Sequence, residues 1–274
     1  MNQSALKNQS AIKNDYQGTP SFYNSQEVFE RFLAGTSYYL GLQNAVSRLV
    51  SLIKPKNMLE LGFGTGATAC RLASEHPHVR IDAIDARANM VPTGEEQAQL
   101  RQLDNVRFAQ GDLLDYVAEN NHLPDFVYML YVFHHIPDPS DKKIEFLKTC
   151  RDKLPAGGHL CIADVFIPET PNKTELESRL LQNWSMRVME AYSSVFWTAL
   201  DDVSPEAVAR AQQAGRYSMK QEQEAGDLVI RREKEYMVST AWLVEQAEAL
   251  GFTVVVNEPV NTVGDSVVLL RNGS

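Results

Sequence analysis

No stretch of this 274-residue sequence stays apolar for the ~20 residues a membrane-crossing helix needs; the longest apolar run is the short one from 126 to 133. The opening residues, MNQSALKNQS, lack the apolar core of a secretory signal. Cysteine is scarce. Cys70, Cys150 and Cys161 are odd in number and show no CxxC spacing, which argues against a disulfide framework or a zinc cluster, so no metal is expected. Basic side chains are outnumbered, 26 Lys and Arg against 35 Asp and Glu, for a net charge of -9 and a pI near 5.2. A chain so charged repels polyanions, and nucleic acid is not the expected partner. Together these absences predict a soluble, cytoplasmic protein with no membrane partner. What is present suits a sizeable globular core: 44% hydrophobic and 22% charged residues exclude the disordered, collagen and coiled-coil classes. The length allows one large domain or two small ones.

The N-terminal segment carries two echoing pentapeptides, SALKN and SAIKN, too few to make a repeat architecture. Residues 1–20 read either as a loose tail or as an arm folding over a ligand. Helical spacing follows over 25–53: Val28, Phe29, Phe32 and Leu33 share one face, and Leu42, Val46, Leu49 and Ile53 another, with a break at Ala34-Gly35-Thr36. From residue 57 strand and helix alternate. Strands are predicted over 57–61, 79–84, 106–109, 126–133 and 160–166, and helices over 65–74 and 87–103. A further helix opens with Asp138 as N-cap, Pro139 at its first position and Asp141 in its first turn, and stops at Pro155 and Gly157-Gly158. Such alternation builds a doubly wound, mostly parallel sheet. Near the C-terminus, Leu243, Ala247 and Leu250 mark a helix capped by Gly251. The last two strands, 252–256 and 266–270, lie too close together for a helical crossover and are expected to be antiparallel.

Residues 169–237 interrupt this order with a helical pattern: Leu176, Leu180, Trp184, Val188 and Tyr192 share one face. An insertion at the carboxyl end of a sheet strand is placed to cover a ligand crevice, or it packs as a plain helical subdomain. The expected division is an N-terminal arm and helical cap over 1–56, a sheet domain over 57–168 and 238–274, and a helical lid over 169–237.

The motif that carries the chemistry is Leu59-Glu60-Leu61-Gly62-Phe63-Gly64-Thr65-Gly66-Ala67, between a strand and a helix. Three spaced glycines permit a tight bend and close approach of a ligand to bare backbone. The same residues loosely satisfy the dinucleotide fingerprint, and either reading wants an acid at the end of the next strand, which Asp85 supplies for ribose hydroxyls. Glu60 separates the two: its carboxylate would repel a pyrophosphate but suits an ammonium or sulfonium. Gly111-Asp112 follows the third strand, where an aspartate accepts from an adenine amino group. Asp85 can instead be a helix N-cap, and Asp112 a turn residue.

In these features the sequence resembles the class I S-adenosylmethionine-dependent methyltransferases, of the small-molecule type. LELGFGTG, IDAIDARANM, AQGDLLDY and YMLYVFHHIPDP, followed by LKTCRDKLPAGGHLCIADVF, occur in the family's order. The resemblance implies a seven-stranded sheet of order 3-2-1-4-5-7-6 with strand 7 antiparallel, and S-adenosyl-L-methionine as cofactor. It places Glu60, Gly62, Gly64 and Gly66 around the methionine part, and Asp85, with Ala86 and Arg87 beside it, at the ribose. Met90 would border the adenine, Asp112 and the Leu113 amide read its edge, and Tyr131 lies beneath the cofactor.

For the acceptor side the sequence offers His134 and His135 as base or orienting groups. It offers Asp164, Tyr23 and Trp184 as substrate contacts; Asp164 is equally readable as a capped turn, and aromatics such as Tyr23 and Trp184 are more often core residues. The expected reaction is in-line methyl transfer to oxygen or nitrogen of a small molecule or short peptide, and a homodimer is left open. Alternatives are another use of the same cofactor, such as synthesis of its carboxymethyl form, a nicotinamide-dependent dehydrogenase, or a cofactor-fold binding protein without catalysis.

Overall fold

The computed structural model describes residues 36–137, 141–170, 172–231 and 236–273. The helix read over 25–33, the substrate candidate Tyr23 and the capping pair Asp138-Pro139 lie outside the described residues.

The first described element is helix α1, Ser37–Ile53. Strand and helix then alternate: β1 (Asn57–Leu61), α2 (Ala67–Glu75), β2 (Arg80–Asp85), α3 (Met90–Leu100), β3 (Val106–Gln110), α4 (Leu113–Glu119), β4 (Phe126–Leu130), α5 (Lys142–Lys153) and β5 (His159–Val165). Two long helices follow, α6 (Lys173–Ala199) and α7 (Pro205–Arg231), and the chain closes with α8 (Thr240–Ala249), β6 (Phe252–Pro259) and β7 (Asp265–Asn272). The strands form one sheet of order β3-β2-β1-β4-β5-β7-β6. All pairs from β3 across to β5 are parallel, and β7 runs antiparallel to both β5 and β6. The seven-stranded, doubly wound architecture with a helical insertion after β5 is the one the sequence predicts.

Both faces of the sheet are buried because strand side chains alternate between two apolar layers. Leu59, Leu61, Val127, Met129, Leu160 and Ile162 pack on Phe146, Leu147 and Leu243 on one side. Met58, Ile81, Ala83, Tyr128, Cys161 and Leu269 pack on Leu42, Val46, Ala69 and Leu72 on the other. All three cysteines are buried free thiols. Among the described residues no helix is long and apolar enough to cross a membrane.

Several boundaries differ from the sequence reading, each for a local reason. The helix expected from Thr65 starts at Ala67, because Gly62, Gly64 and Gly66 all sit at positive φ (77°, 58° and 81°) and keep the motif unwound. The strand expected to reach 133 ends at Leu130. Tyr131 turns into the left-handed region at φ 52°, and Phe133–His135 form a short 3-10 turn. The next described helix begins at Lys142 with Asp141 at its N-cap position.

The insertion is a helical hairpin. Gly226 of α7 lies against the Trp184 ring of α6; a Cβ there would come 2.1 Å from the ring, so only glycine permits this approach. Its inner stripe, Leu180, Trp184, Arg187, Ala191 and Val195, is buried.

Candidate active site

The sheet order reverses between β1 and β4, which opens a crevice at the carboxyl ends of the neighbouring strands. The glycine loop after β1 lines it. Gly62 and Phe63 donate their amides to the Ile84 carbonyl at 2.7 and 3.3 Å, and Gly66 closes a turn onto Phe63 O at 2.9 Å. The position where Gly62 lacks a Cβ is taken by Val132, whose Cγ2 would be only 2.4 Å away.

Asp85, at the tip of β2, is 5% exposed and already collects donors. Oδ2 accepts from Gly64 N at 2.8 Å, and Oδ1 from Arg87 N at 2.9 Å and Arg87 Nε at 3.1 Å. This carboxylate therefore ties the glycine loop to the segment after β2. The Ala86 carbonyl accepts from Gln110 Nε2 at 3.2 Å. Asp112 is the N-cap of α4, its Oδ1 accepting from Leu114 N at 2.8 Å and Asp115 N at 3.2 Å. Leu113 is the first residue of that helix, with its side chain against the core.

Glu60 lies beneath the loop, 2% exposed. Tyr128 donates its hydroxyl to Oε2 at 3.1 Å, and the Ala69 amide also donates to the carboxyl. Burial, reinforced by the nearby Asp85 charge, pushes its pKa up to about 8. Helix α1 lies nearby: Tyr39 shares a hydrogen bond of 3.0 Å with Thr68 Oγ1, and Gln43 Nε2 donates to that oxygen at 2.8 Å.

The turn after β4 brings His134 and His135 together, their rings 4.0 Å apart. His134 is buried; its Nδ1 lies 2.6 Å from Asp164 Oδ1, and its amide donates to Asp164 Oδ2 at 3.1 Å. His135 is partly buried, and desolvation, then the charges of His134, Arg87 and Lys143, hold its imidazole well below the usual pKa. The ring is therefore uncharged at neutral pH. Buried Lys143 fixes this turn by donating to the carbonyls of Phe133 and Ile136, the latter at 2.7 Å.

Four predicted site residues have their side chains buried or bonded within the protein. Met90, 2% exposed, is part of the apolar core that includes Phe63 and Ala98, so it presents almost no surface to an adenine. Asp164, 1% exposed, gives its oxygens to His134 and the Val165 amide, so it orients a histidine rather than meeting a substrate. Trp184 is packed inside the helical hairpin, with Nε1 donating to Glu222 O at 3.1 Å. Tyr131, just past the end of β4, directs its hydroxyl to Asp265 Oδ1 at 2.8 Å and stacks on Tyr39.

The sequence reading passed over Lys143, Arg187 and Asp265. Two of them had a signal: Lys143 is spaced three and four residues from buried Phe146 and Leu147, and Arg187 falls on the stripe of Leu180, Trp184 and Ala191. Among the described residues no group of His, Cys, Asp and Glu is arranged to hold a metal ion.

Residues 58–158, which run from β1 through the histidine turn to the start of β5, match a family described as a methyltransferase domain. Among curated proteins the chain is 23% identical over 171 residues to 3-hydroxy-5-methyl-1-naphthoate 3-O-methyltransferase of Streptomyces sahachiroi, covering 60% of this chain and 48% of that one. It is 26% identical over 159 residues to caffeic acid 3-O-methyltransferase 1 of Ocimum basilicum, covering 58% and 39%. The matches thus span less than half the length of these relatives. Among solved structures, an O-methyltransferase family protein from Burkholderia thailandensis superposes with a TM-score of 0.57 at 14% identity, over 95% of this chain and 61% of that one. A Galdieria sulphuraria protein assigned as a sarcosine dimethylglycine methyltransferase gives 0.53 at 16%, over 91% and 98%. Over residues 58–158 the chain matches that methyltransferase family, and its fold is the one shared by the S-adenosylmethionine-dependent methyltransferases. Its crevice fits the cofactor of that family by donor chemistry: a buried acid under the loop, a second at the tip of β2, and three left-handed glycines that bare the backbone between them.

Proposed function

We propose that this protein transfers the methyl group of S-adenosylmethionine to an oxygen or nitrogen of a small molecule. The observation that carries the reading is the histidine turn beside the crevice. It holds an uncharged His135 with its ring 4.0 Å from that of His134, whose Nδ1 is bonded to Asp164. The relatives' activities on phenolic acceptors support a hydroxyl as the methylated group.

When bound, the cofactor supplies a methyl group already activated on a sulfonium. The chain's own residues then bind, orient and deprotonate. Asp85 offers its carboxylate to the ribose hydroxyls, in competition with Arg87, and Asp112 keeps Oδ2 for the adenine edge. Glu60 sits where ionisation would balance the cofactor's ammonium. His135 accepts the acceptor's proton at a ring nitrogen, and His134, held by Asp164, keeps the turn in register. Orientation of this kind supplies up to ~7–11 kcal/mol in favourable cases, and a positioned base a further ~10²–10⁴-fold. The hairpin of α6 and α7 acts as the lid that excludes water, which divides the chain into cap, sheet domain and lid.

The test is incubation with isotopically labelled S-adenosylmethionine and a panel of phenols, carboxylic acids and amines. Label in a phenol is expected, with loss of transfer in His135→Ala. Binding of S-adenosylhomocysteine without transfer to any acceptor would speak for a non-catalytic binding protein.

A further inference from the structure

A buried ion pair joins the helical hairpin to the sheet. Arg187 of α6 is 3% exposed and Asp265, the first residue of β7, is fully buried; the guanidinium donates to Asp265 Oδ1. Aromatic rings enclose the cation: Tyr38 of α1 lies 4.5 Å from it, Trp184 5.3 Å and Tyr131 5.9 Å, centroid to guanidinium carbon. Asn261 donates to the other Asp265 oxygen at 2.6 Å. Such a pair is weak evidence for stability, since burying both charges offsets much of their attraction. Its position suggests a different role.

The carboxylate that Arg187 grips also accepts the Tyr131 hydroxyl, at 2.8 Å on the same oxygen. Tyr131 is one of three non-glycine residues at positive φ among the described residues, and it sits where β4 breaks off. That conformation is uncommon for a side chain with a Cβ and needs its surroundings to hold it. Two routes lead from Tyr131 to the glycine loop. Along the backbone, the next residue is Val132, which fills the space over Gly62. Through side chains, Tyr131 stacks on Tyr39 with centroids 5.9 Å apart, and Tyr39 is bonded to Thr68, the second residue of the helix after the loop.

We propose that Arg187 is a positioning residue for the cofactor site: by clamping Asp265, and through it Tyr131, it couples docking of the α6–α7 hairpin to the shape of the loop at Gly62. The inference rests on the crevice being the cofactor site. Lid and cofactor then favour each other, and by linkage the effect runs both ways. A ligand that holds the loop in its present shape strengthens docking of α6, and an undocked α6 weakens the ligand.

The test combines calorimetric titration with S-adenosylhomocysteine and hydrogen exchange of the wild-type protein with and without it. Peptides covering 184–195 are expected to gain protection on binding. In Arg187→Gln the affinity is expected to fall by at least about fivefold, the low end of typical coupling, and the ligand-induced protection of 184–195 to disappear while the glycine loop is still protected. Arg187→Lys, which keeps the charge but loses the planar fork, is expected to fall between the two. A purely structural pair would lower thermal stability and leave affinity at full folding unchanged. That result overturns the proposal, as does wild-type protein that binds the ligand with no change over 184–195, a result that stands even if Arg187→Gln fails to fold. Wild-type protein that binds no S-adenosylhomocysteine at all removes the cofactor reading itself and this inference with it.

Discussion

His134 Nδ1 lies 2.6 Å from Asp164 Oδ1, across the gap between the turn after β4 and the end of β5. The pair is buried, and the same carboxylate takes the His134 amide at 3.1 Å. A contact this short between a ring nitrogen and a carboxylate oxygen needs a proton on Nδ1, so His134 is committed as a donor. Beside it, burial keeps the imidazole of His135 uncharged at neutral pH, and His135 is the base in the proposed reaction.

His135→Ala is therefore expected to lower kcat by about 10²–10⁴-fold with little change in S-adenosylhomocysteine affinity. His134→Ala is expected to lower kcat as well, and in addition to leave Asp164 buried without its main partner, at a stability cost of about 1–3 kcal/mol. Steady-state kinetics beside chemical denaturation separate the two. Equal kcat in wild type and His135→Ala would remove His135 as the base.

Asp85→Ala is expected to weaken S-adenosylhomocysteine by about 1–3 kcal/mol through a lost charged hydrogen bond. Arg87→Ala is expected to do the opposite, because the guanidinium on Asp85 competes with the ribose hydroxyls. It should also raise the His135 pKa, one of whose depressing charges is Arg87. Calorimetry reads the affinities and the histidine ring proton resonances read the titration.

Glu60 and Glu222 give the stability a definite pH dependence. Burial raises both, to about 8 and about 7 against an ordinary value of 4.5. Above pH 4.5 the unfolded chain has released these protons while the folded chain still holds them. Each group therefore takes away stability as pH rises, Glu222 up to about pH 7 and Glu60 up to about pH 8, with a slope of up to about 1.4 kcal/mol per pH unit. Denaturation midpoints are expected to fall across that window, and less so in Glu60→Gln and Glu222→Gln. If Glu60 ionises to meet the cofactor's ammonium, binding near pH 7 releases a proton, and the calorimetric enthalpy changes with the buffer's ionisation heat.

Gly62→Ala is expected to cost at least about 1–2 kcal/mol from the left-handed backbone alone, plus a clash with Val132. Combining it with Val132→Ala should recover the clash part but not the backbone part. Full additivity of the two changes in thermal denaturation would contradict the contact.

Much of this fold is legible in the chain because its determinants are local. The glycine motif, the acid closing β2 and the nine-residue gap between the last two predicted strands each imply a turn or a pairing by themselves, and the sheet order follows from the resemblance to the methyltransferase family. The histidine turn and Asp112 were legible as positions but not as contacts. What stayed hidden depends on residues distant in sequence: Arg187 and Asp265 are 78 residues apart. Asp164 and Trp184 read as possible pocket residues, because nothing within a few positions of either reveals that His134 and Gly226 already occupy them. The break at Tyr131 was missed for the same reason, since an apolar run gives no sign that one hydroxyl is bonded across the sheet.

Titration of the purified wild-type chain with S-adenosylhomocysteine, run beside Asp85→Ala, tests the cofactor crevice most directly. Saturable one-to-one binding that weakens at least about fivefold in the variant, in line with a charged hydrogen bond worth 1 kcal/mol or more, is the expected result. Absence of binding to the wild type, or equal binding by the two proteins, would contradict it.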